Sequence, residues 1–288
     1  MILLQAALSG LLVGGLFALM AIGMSLTWGL LKVINLAHFG LVLLSSYLTY
    51  EIATRLRIDP LLTVVITAPI MFVLAGLLQW LFQARKVSEF NTLLISFGLL
   101  IVIVQLITNQ WTADFRRMPP DINPYASQSV SLGPLIFPTP TLIAFVVALA
   151  VVVLGHLLLT RTYPGRAVRA FAQDRPIASA FGIDHNRLGI ILAGAAGATA
   201  ALAGMLFAVD RTLHPDAAFE WIGIVFAIVI VGGVGNIVGS LAAGALVMSV
   251  AALVSLYSPA ATPLVVFAAI AVALLFRPRG LFTRRAGS

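Results

Sequence analysis

The sequence has few charged side chains and no cysteine. Only 9% of its 288 residues are charged, whereas 61% are hydrophobic. A soluble domain typically has about 25% charged residues, so this chain has too few charges to cover a surface that faces water. The absence of cysteine excludes disulfides, thiolate metal ligands and thiol catalysis. A soluble fold and cysteine chemistry are therefore both excluded.

Lysine is scarce as well, and this bears on nucleotide hydrolysis. A P-loop needs a lysine beside a glycine-rich turn that surrounds the phosphates, and neither Lys32 nor Lys86 has such a motif around it. The glycine-rich segment 233–239 lacks dinucleotide-binding spacing and favours close helix packing instead. The uncharged segments hold no pair of carboxylates and no cluster of metal ligands. We therefore predict no catalytic residue, no metal site and no cofactor in this chain.

What the sequence does contain is a series of long uncharged runs, the longest covering the 56 residues 221–276. A helix that crosses a bilayer needs about 20 apolar residues. We therefore predict an all-α, polytopic membrane protein with one transmembrane domain over residues 1–288, roughly eight transmembrane helices and some discontinuous or re-entrant segments. The predicted spans are Leu3–Trp28, Leu36–Tyr50, Leu61–Phe82, Thr92–Thr108, Leu142–Leu159 and Leu188–Val209, followed by shorter pieces at Trp221–Val231, Ile237–Leu256 and Pro263–Phe276.

Arginine is concentrated in two segments. Thr160–Arg187 contains five arginines, and the tail after Phe276 contains four. Because Lys and Arg collect in cytoplasmic loops, both segments are predicted to be cytoplasmic, with the N-terminus outside. The net charge of +7 is then explained by membrane topology and not by nucleic acid. Two other charged loops, 114–121 and 210–220, are predicted to lie outside, where they either dock an external protein or are simply solvated.

The loop at residues 160–187 is predicted to contain two short helices. Pro164 ends the preceding helix, Arg166–Asp174 has an amphipathic pattern, and Gly182 closes a second short turn. Asp184 can cap the next span. Such a loop either inserts as a unit into a groove on another protein or is an ordinary basic loop ordered by its own turns.

Three segments resemble permease subunits of the branched-chain amino acid (Liv-type) family of ABC importers. The matching residues of the loop are Thr162, Gly165, Ala167, Arg169, Ala170, Ala172, Asp174, Ala178, Gly182 and Ile183. The N-terminal third matches at Gly14–Leu19, Gly23 and Val33–His38, and the C-terminal third matches at Gly232–Gly239 and Phe276–Phe282. These segments follow the order of the family over nearly the whole chain.

The resemblance implies a permease subunit of an ATP-driven importer in the bacterial inner membrane. Its solutes would be branched-chain amino acids or related small polar molecules such as amides and urea. Its partners would be membrane lipid, a homologous permease subunit, two ATP-binding subunits that hold ATP and Mg, and an extracytoplasmic solute-binding protein. The alternative is a stand-alone channel or a secondary transporter. The predicted spans lack the ionisable residues that usually bind a coupling ion, which makes that class less favoured.

Two sets of candidate site residues follow. The resemblance implies that the loop 160–187 docks the ATPase, with Gly165, Arg166, Arg169, Asp174, Ala178 and Gly182 as its residues. The second set, Gly29, Asn35, His38 and Ser96, is predicted either to line the translocation pathway or to hold a helix break after the first span. The alternative for Asn35 is a helix cap, for His38 packing at an interface, and for Ser96 a hydrogen bond between helices.

Overall fold

The computed structural model describes residues 1–276 and 281–282. In these residues the chain forms eleven α-helices and one antiparallel β-hairpin. In chain order the elements are α1 (Ile2–Leu31), α2 (Ala37–Leu56), α3 (Val64–Ala84), α4 (Glu89–Trp111), β1 (Ser129–Leu132), β2 (Leu135–Pro138), α5 (Thr139–Arg161), α6 (Tyr163–Gln173), α7 (Arg175–Ala180), α8 (His185–Asp210), α9 (Ala217–Gly232), α10 (Ile237–Ser255) and α11 (Thr262–Phe276). The arginines predicted to make the C-terminal tail cytoplasmic lie outside the described residues.

The all-α polytopic class is confirmed. Six helices are long and apolar enough to cross a membrane: α1, α3 with the 3-10 turn before it, α4, α5, α8 and α10. Helix α2 has 20 residues but carries buried polar side chains, among them Ser45, Ser46 and Thr49. Helices α9 and α11 have 16 and 15 residues, about 24 and 22 Å of helix, which is shorter than the roughly 30 Å hydrocarbon core. The predicted count of eight is not confirmed.

Helix α1 lies at the centre of the bundle. Its residues from Gly14 to Thr27 are all buried, and it packs against α5, α8, α9 and α10. The contact with α10 requires glycine, because a β-carbon on Gly14 would lie 2.5 Å from the carbonyl oxygen of Gly244 and one on Gly10 would overlap the backbone of Met248. Small residues let helix backbones approach closely in lipid. The small residues Gly10 and Gly14 therefore explain the close approach of α1 and α10.

The loops close the bundle at two opposite ends that differ in charge. One end carries the connections that follow α2, α4 and α8, and the other carries those that follow α1, α3 and α5. With the adjoining helix ends included, the described residues of the first end have five Lys and Arg against seven Asp and Glu, and those of the second end have eight against three. The excess of cations predicts that the second end is cytoplasmic. These are called the outer and the cytoplasmic end below.

A β-hairpin, not predicted from the sequence, lies in the outer loop between α4 and α5. Its turn contains Gly133 at a φ of 60°, a conformation that favours glycine. The same loop forms an antiparallel bridge to the loop after α8, in which Arg116 and Leu213 exchange backbone hydrogen bonds of 2.9 and 2.7 Å. The outer loop is thus joined to a segment nearly 100 residues later in the chain.

Two side chains fix the same loop to the ends of other helices. The amide of Asn123 donates to the carbonyl oxygen of Val209 at 2.8 Å. The Tyr125 hydroxyl donates to the Asp59 carboxylate at 2.5 Å, and this hydrogen bond, with partial burial, raises the pKa of Tyr125 to about 12. Directional bonds of this kind hold the outer loops in one register.

Candidate functional site

The cytoplasmic loop forms two short helices, as predicted, and each begins at a side-chain cap. The Thr162 hydroxyl accepts a hydrogen bond from the backbone N–H of Gly165 at 3.1 Å, which starts α6. The Asp174 carboxylate accepts one from the N–H of Ile177 at 3.0 Å, which starts α7. Caps of this type satisfy N–H groups that lack a partner within the helix. The position of Asp174 is therefore explained by the start of α7.

The end of the loop also follows the predicted pattern. Gly182 has a φ of 81°, so a residue with a side chain would be strained there. The Asp184 carboxylate then caps α8 by accepting from the N–H groups of Asn186 and Arg187 at 3.0 and 3.1 Å. The bond from Arg187 is the main reason that the pKa of Asp184 is lowered. The predicted cap at Asp184 is confirmed.

The inner side of the loop packs on the membrane helices. Val168 and Phe171 of α6 are buried and belong to one apolar cluster with Leu31 of α1, Val152 of α5 and Leu192 of α8. Apolar packing of this kind is non-directional and increases with the area removed from water. The loop is therefore attached to three helices of the bundle at their cytoplasmic ends.

Two predicted docking residues belong to this inner side. Ala178 is 3% exposed and lies in the same cluster. Gly165 is buried, and a β-carbon there would overlap the backbone at Leu158 and Leu159 of α5. Neither residue is accessible to a partner, so the prediction that they touch the ATPase is corrected: they hold the loop on the bundle.

The outward side of the loop is called the docking face, and it consists of Tyr163, Arg166, Arg169, Ile177 and Phe181. Its three apolar side chains are 76%, 58% and 83% exposed, and both arginines are exposed. Large apolar side chains bordered by charges mark protein-binding surfaces when they face water. Only the arginines were predicted. Tyr163 lies roughly opposite the buried Gly165 and Val168 around α6, a periodic signal that the sequence contains. Ile177 and Phe181 lie close to the buried Ala178 in sequence, so no periodic pattern marks them.

The interruption after the first span lies later than predicted. Helix α1 continues through Gly29 to Leu31, and the chain then turns at Lys32, whose φ is 57°. Gly29 packs against the backbone of Gly235 instead, where a β-carbon would not fit. The helix break is therefore the segment Lys32–Leu36, called the joint below, and Gly29 lies one turn before it.

Two of the predicted residues accept hydrogen bonds at the start of α2. The Asn35 side chain accepts from the N–H of Ala37 at 3.1 Å, and the Ser96 hydroxyl of α4 accepts from the N–H of Leu36 at 3.0 Å. Both N–H groups lie at a helix start, where the helix itself offers them no acceptor. Asn35, one residue before the N-cap position of α2, thus supplies an acceptor for the first turn, and Ser96 links α4 to the joint.

His38 lies in the first turn of α2 and is 2% exposed. Its ring nitrogen Nε2 lies 3.1 Å from the carbonyl oxygen of Met20 in α1, and Gly23 leaves the space that the ring fills. The structure thus brings Asn35, His38 and Ser96 together around the joint. Whether they also line a translocation pathway stays a prediction.

A cavity of about 880 Å³ opens at the outer end between α1, α5, α8, α9 and α10, and the sequence did not predict it. Its wall includes Phe17 of α1, Phe207 of α8 and Trp221 of α9, which are 9%, 6% and 3% exposed. The rings of Phe207 and Trp221 meet edge to face at 4.5 Å. These three aromatic residues, called the aromatic floor, come from distant parts of the chain, so no local pattern connects them.

Charged side chains of both signs surround the same cavity. Asp210 and Arg211 form an ion pair with 2.8 Å between oxygen and nitrogen, and Nε2 of His214 lies 3.9 Å from the Glu220 carboxylate. Arg117, from the loop after α4, also lines the opening. The volume lies within the usual range for small-molecule sites. The outer cavity therefore combines an apolar floor with a charged rim.

Comparison with known proteins identifies the family. Residues 6–276 match the family described as branched-chain amino acid transport system / permease component. The high-affinity branched-chain amino acid transport system permease protein BraD of Pseudomonas aeruginosa is 26% identical over 297 residues, covering 98% of this chain and 96% of BraD. The corresponding permease protein LivH is 26% identical in Escherichia coli K12 and 25% identical in Salmonella typhimurium, each over 295 residues with the same coverage.

No solved structure matches the chain. The family match, however, extends from the first turns of α1 to the end of α11. It includes the docking face, the joint and every helix around the outer cavity. This chain therefore belongs to the family of permease components of branched-chain amino acid transport systems.

Proposed function

We propose that this multi-pass inner-membrane protein is the permease subunit of an ATP-driven ABC importer. Its solutes are branched-chain amino acids or related small polar molecules such as amides and urea. The observation that carries the proposal is the docking face, an exposed apolar and cationic surface on a loop whose inner side packs on helices that reach the outer cavity. Membership of the family supports the same conclusion.

Two helices connect the docking face to the cavity. Leu31 of α1 and Leu192 of α8 pack against the loop, while Phe17 and Phe207 of the same helices form part of the aromatic floor. Rigid helices transmit a displacement along their length. A movement of the loop would therefore change the outer cavity through α1 and α8.

The cycle needs a source of energy outside this chain. We propose two ATP-binding subunits that hold ATP and Mg and engage the docking face when they close. Their closure shifts the permease only if they bind its outward-open and inward-open states with different affinities. A homologous permease subunit completes the pathway, and an extracytoplasmic solute-binding protein delivers solute to the outer end.

The test is uptake of tritiated leucine by vesicles that contain defined sets of subunits. We expect uptake only when the permease pair, the ATPase subunits, the solute-binding protein and ATP are all present. Competition by valine, isoleucine, amides and urea would define the solute class. Uptake by the permease alone, without ATP, would instead establish the alternative of a channel or secondary transporter.

A further inference from the structure

Helix α4 packs against α2 with one side and leaves the opposite side exposed. The buried residues are Thr92, Ser96, Leu100, Val104 and Ile107. The residues on the opposite side are all exposed, are called the α4 seam below, and are Asn91, Ile95, Gly98, Val102, Gln105 and Asn109. They recur at alternating steps of four and three residues, the spacing with which two helices pack side by side along their length. The α4 seam thus has the pattern of a helix–helix contact, although it is exposed in this chain.

Two residues of the α4 seam are amides close together in a candidate membrane span. Gln105 lies about 9 Å along the helix from its end at Trp111, which places it inside the hydrocarbon region. Its Nε2 donates to Oδ1 of Asn109 at 2.9 Å. The Gln105 carbonyl oxygen and the Asn109 amino group have no partner in residues 1–276 or 281–282. Because lipid offers no hydrogen bond to such groups, leaving them unpaired there is costly.

Gly98 is an independent feature of the same seam. A β-carbon on Gly98 would have no atom of the described chain within 4 Å, so packing inside this chain does not require glycine there. Glycine also lowers the stability of a helix relative to alanine. In α1, by contrast, Gly10 and Gly14 are required because the backbone of α10 touches them. Since small residues allow such close approach in lipid, Gly98 indicates that a helix from outside this chain approaches α4.

The exposed side of α3 shows a surface of this protein that suits lipid. Its exposed residues from Val65 to Ala84 are all apolar or aromatic. They include large side chains such as Val73 and Leu77, which are 63% and 54% exposed. Lipid chains satisfy such a surface, but they satisfy neither an unpaired amide nor a space left by glycine. The exposed side of α3 is therefore suited to lipid, and the α4 seam is suited to a protein helix.

We propose that the α4 seam is the surface that contacts the homologous permease subunit. The occupant is a transmembrane helix of that subunit, with a small residue opposite Gly98 and a hydrogen-bonding side chain opposite Gln105. Hydrogen bonds between helices satisfy the free groups of the two amides, and a polar residue in such a seam fixes the register of the two helices. This inference rests on the proposed function, which requires a second permease subunit, and it assigns the surface that meets that subunit.

The first test identifies the neighbour of the α4 seam by photo-crosslinking in the purified, assembled transporter in lipid nanodiscs. The photoreactive residue p-benzoylphenylalanine replaces Val102 in the seam or, as the control, Val73 on α3; the two valines are 52% and 63% exposed. We expect a covalent adduct with the homologous permease subunit from position 102 and adducts with lipid from position 73, identified by mass spectrometry. Adducts of position 102 with lipid only, or with a second copy of this chain, would overturn the proposed contact.

The second test replaces an amide by an apolar side chain of similar size. Gln105→Leu would leave the pairing of the two permease subunits unchanged if α4 faced lipid. In the seam, we expect it to weaken pairing about three- to thirtyfold, the range for a lost hydrogen bond between membrane helices. Gln105→Asn keeps an amide and should weaken pairing less. Fluorescence energy transfer between labelled full-length subunits in liposomes, at increasing ratios of lipid to protein, measures the pairing.

The third test adds bulk where this chain has open space. Gly98→Leu should leave the fold of this chain intact and weaken pairing about tenfold or more, because the partner helix no longer fits. The control is Ala150→Leu, which adds similar bulk to the exposed side of α5 and should pair like the wild type. Circular dichroism and the yield of each variant in detergent check the fold.

The outcomes separate the seam from the proposed function. Unchanged pairing in both Gln105→Leu and Gly98→Leu would overturn the seam, whereas solute import by the complete wild-type system would still stand. Normal pairing with loss of leucine uptake in Gln105→Leu would also overturn the seam, because the amide would then line an aqueous pathway. If the wild-type chain paired with no homologous permease and took up solute alone, the proposed function would be overturned together with the seam.

Discussion

The outer loops and the cytoplasmic loop at residues 160–187 are attached to the bundle in different ways. At the outer end, Arg116 and Leu213 exchange backbone hydrogen bonds, and Tyr125 bonds to Asp59, so loops far apart in sequence share directional contacts. At the cytoplasmic end, the caps of α6 and α7 are local, and Phe171 joins the loop to the bundle by apolar packing. Directional bonds fix a frame, whereas apolar packing tolerates small displacements. The outer end thus suits a preformed cavity and the cytoplasmic loop suits a moving contact.

The largest expected effect comes from a charge placed on the docking face. Phe181→Glu should reduce capture of the ATPase subunits by at least about tenfold, because a central apolar anchor of an interface is lost. The matched variant is Phe115→Glu, since Phe115 is 77% exposed at the outer end and Phe181 is 83% exposed at the cytoplasmic end. Pull-down with detergent-solubilised permease measures both. Equal capture by Phe181→Glu and Phe115→Glu would refute the docking face.

Gly182 is a less suitable position for this test. Its positive φ means that any side chain strains the backbone, so loss of capture in Gly182→Trp would not distinguish strain from a blocked interface. Arg169→Glu avoids this difficulty because Arg169 is exposed on α6. It should also lower capture, by reversing a charge that a partner carboxylate would meet.

The next effect is on stability and separates packing from coupling. Phe171→Ala in the loop and Phe137→Ala in the outer hairpin each remove a ring that is about 5% exposed or less, and each should cost about 3 kcal/mol. Only Phe171→Ala should also lower solute-stimulated ATP hydrolysis per assembled complex, because it lies between the docking face and α1. Thermal unfolding and ATPase assays on the same preparations check this. A similar loss of hydrolysis in both variants would show that the loop has no special role in coupling.

Features that depend on contacts between distant parts of the chain could not be predicted from the sequence. The helices and the caps at Thr162 and Asp184 depend on residues within a few turns of each other. The close packing of α1 on α10 depends on small residues that recur at helical spacing. The hairpin at 129–138 has a local signal in the dipeptide Gly133-Pro134, a combination that marks turns. The aromatic floor had none, since three separate helices supply it.

The same distinction explains the candidate site residues. Composition separated Arg166 and Arg169 from the apolar helices, and both are exposed. It could not show that Ala178 faces inward, because a small residue fits both a buried and an exposed position. Nor could it place Ser96 beside Leu36, 60 residues away in the sequence. Such contacts depend on the tertiary fold and not on local propensity.

A smaller effect is expected at the joint. Ser96→Ala removes the acceptor of the Leu36 N–H and should cost about 1 kcal/mol, because the donor left without a partner is only partly buried. Asn35→Leu removes the acceptor of the Ala37 N–H at the start of α2 and should cost about 1 kcal/mol. If the joint is only structural, leucine uptake per assembled complex stays at the wild-type level in both. If uptake per complex falls while assembly is normal, these side chains also line the pathway.

The smallest effect is expected at the outer end, from Tyr125→Phe, which deletes the hydroxyl that donates to Asp59. The bond is partly exposed, so we expect a loss of about 1 kcal/mol or less in the free energy of unfolding. Tyr257→Phe, which changes an 80% exposed tyrosine, is the control and should leave stability unchanged.

Because the pKa of Tyr125 is raised from 10.0 to about 12, the contribution of its hydrogen bond to stability is complete below pH 10 and is lost as the pH rises towards 12. The stability difference between wild type and Tyr125→Phe should therefore be constant from pH 7 to pH 9. The ultraviolet difference spectrum of the two proteins should show a single tyrosine that ionises near pH 12. Ionisation near pH 10 would mean that the bond to Asp59 does not persist in solution, and the outer loop would then lack one of the contacts that distinguish it from the cytoplasmic loop.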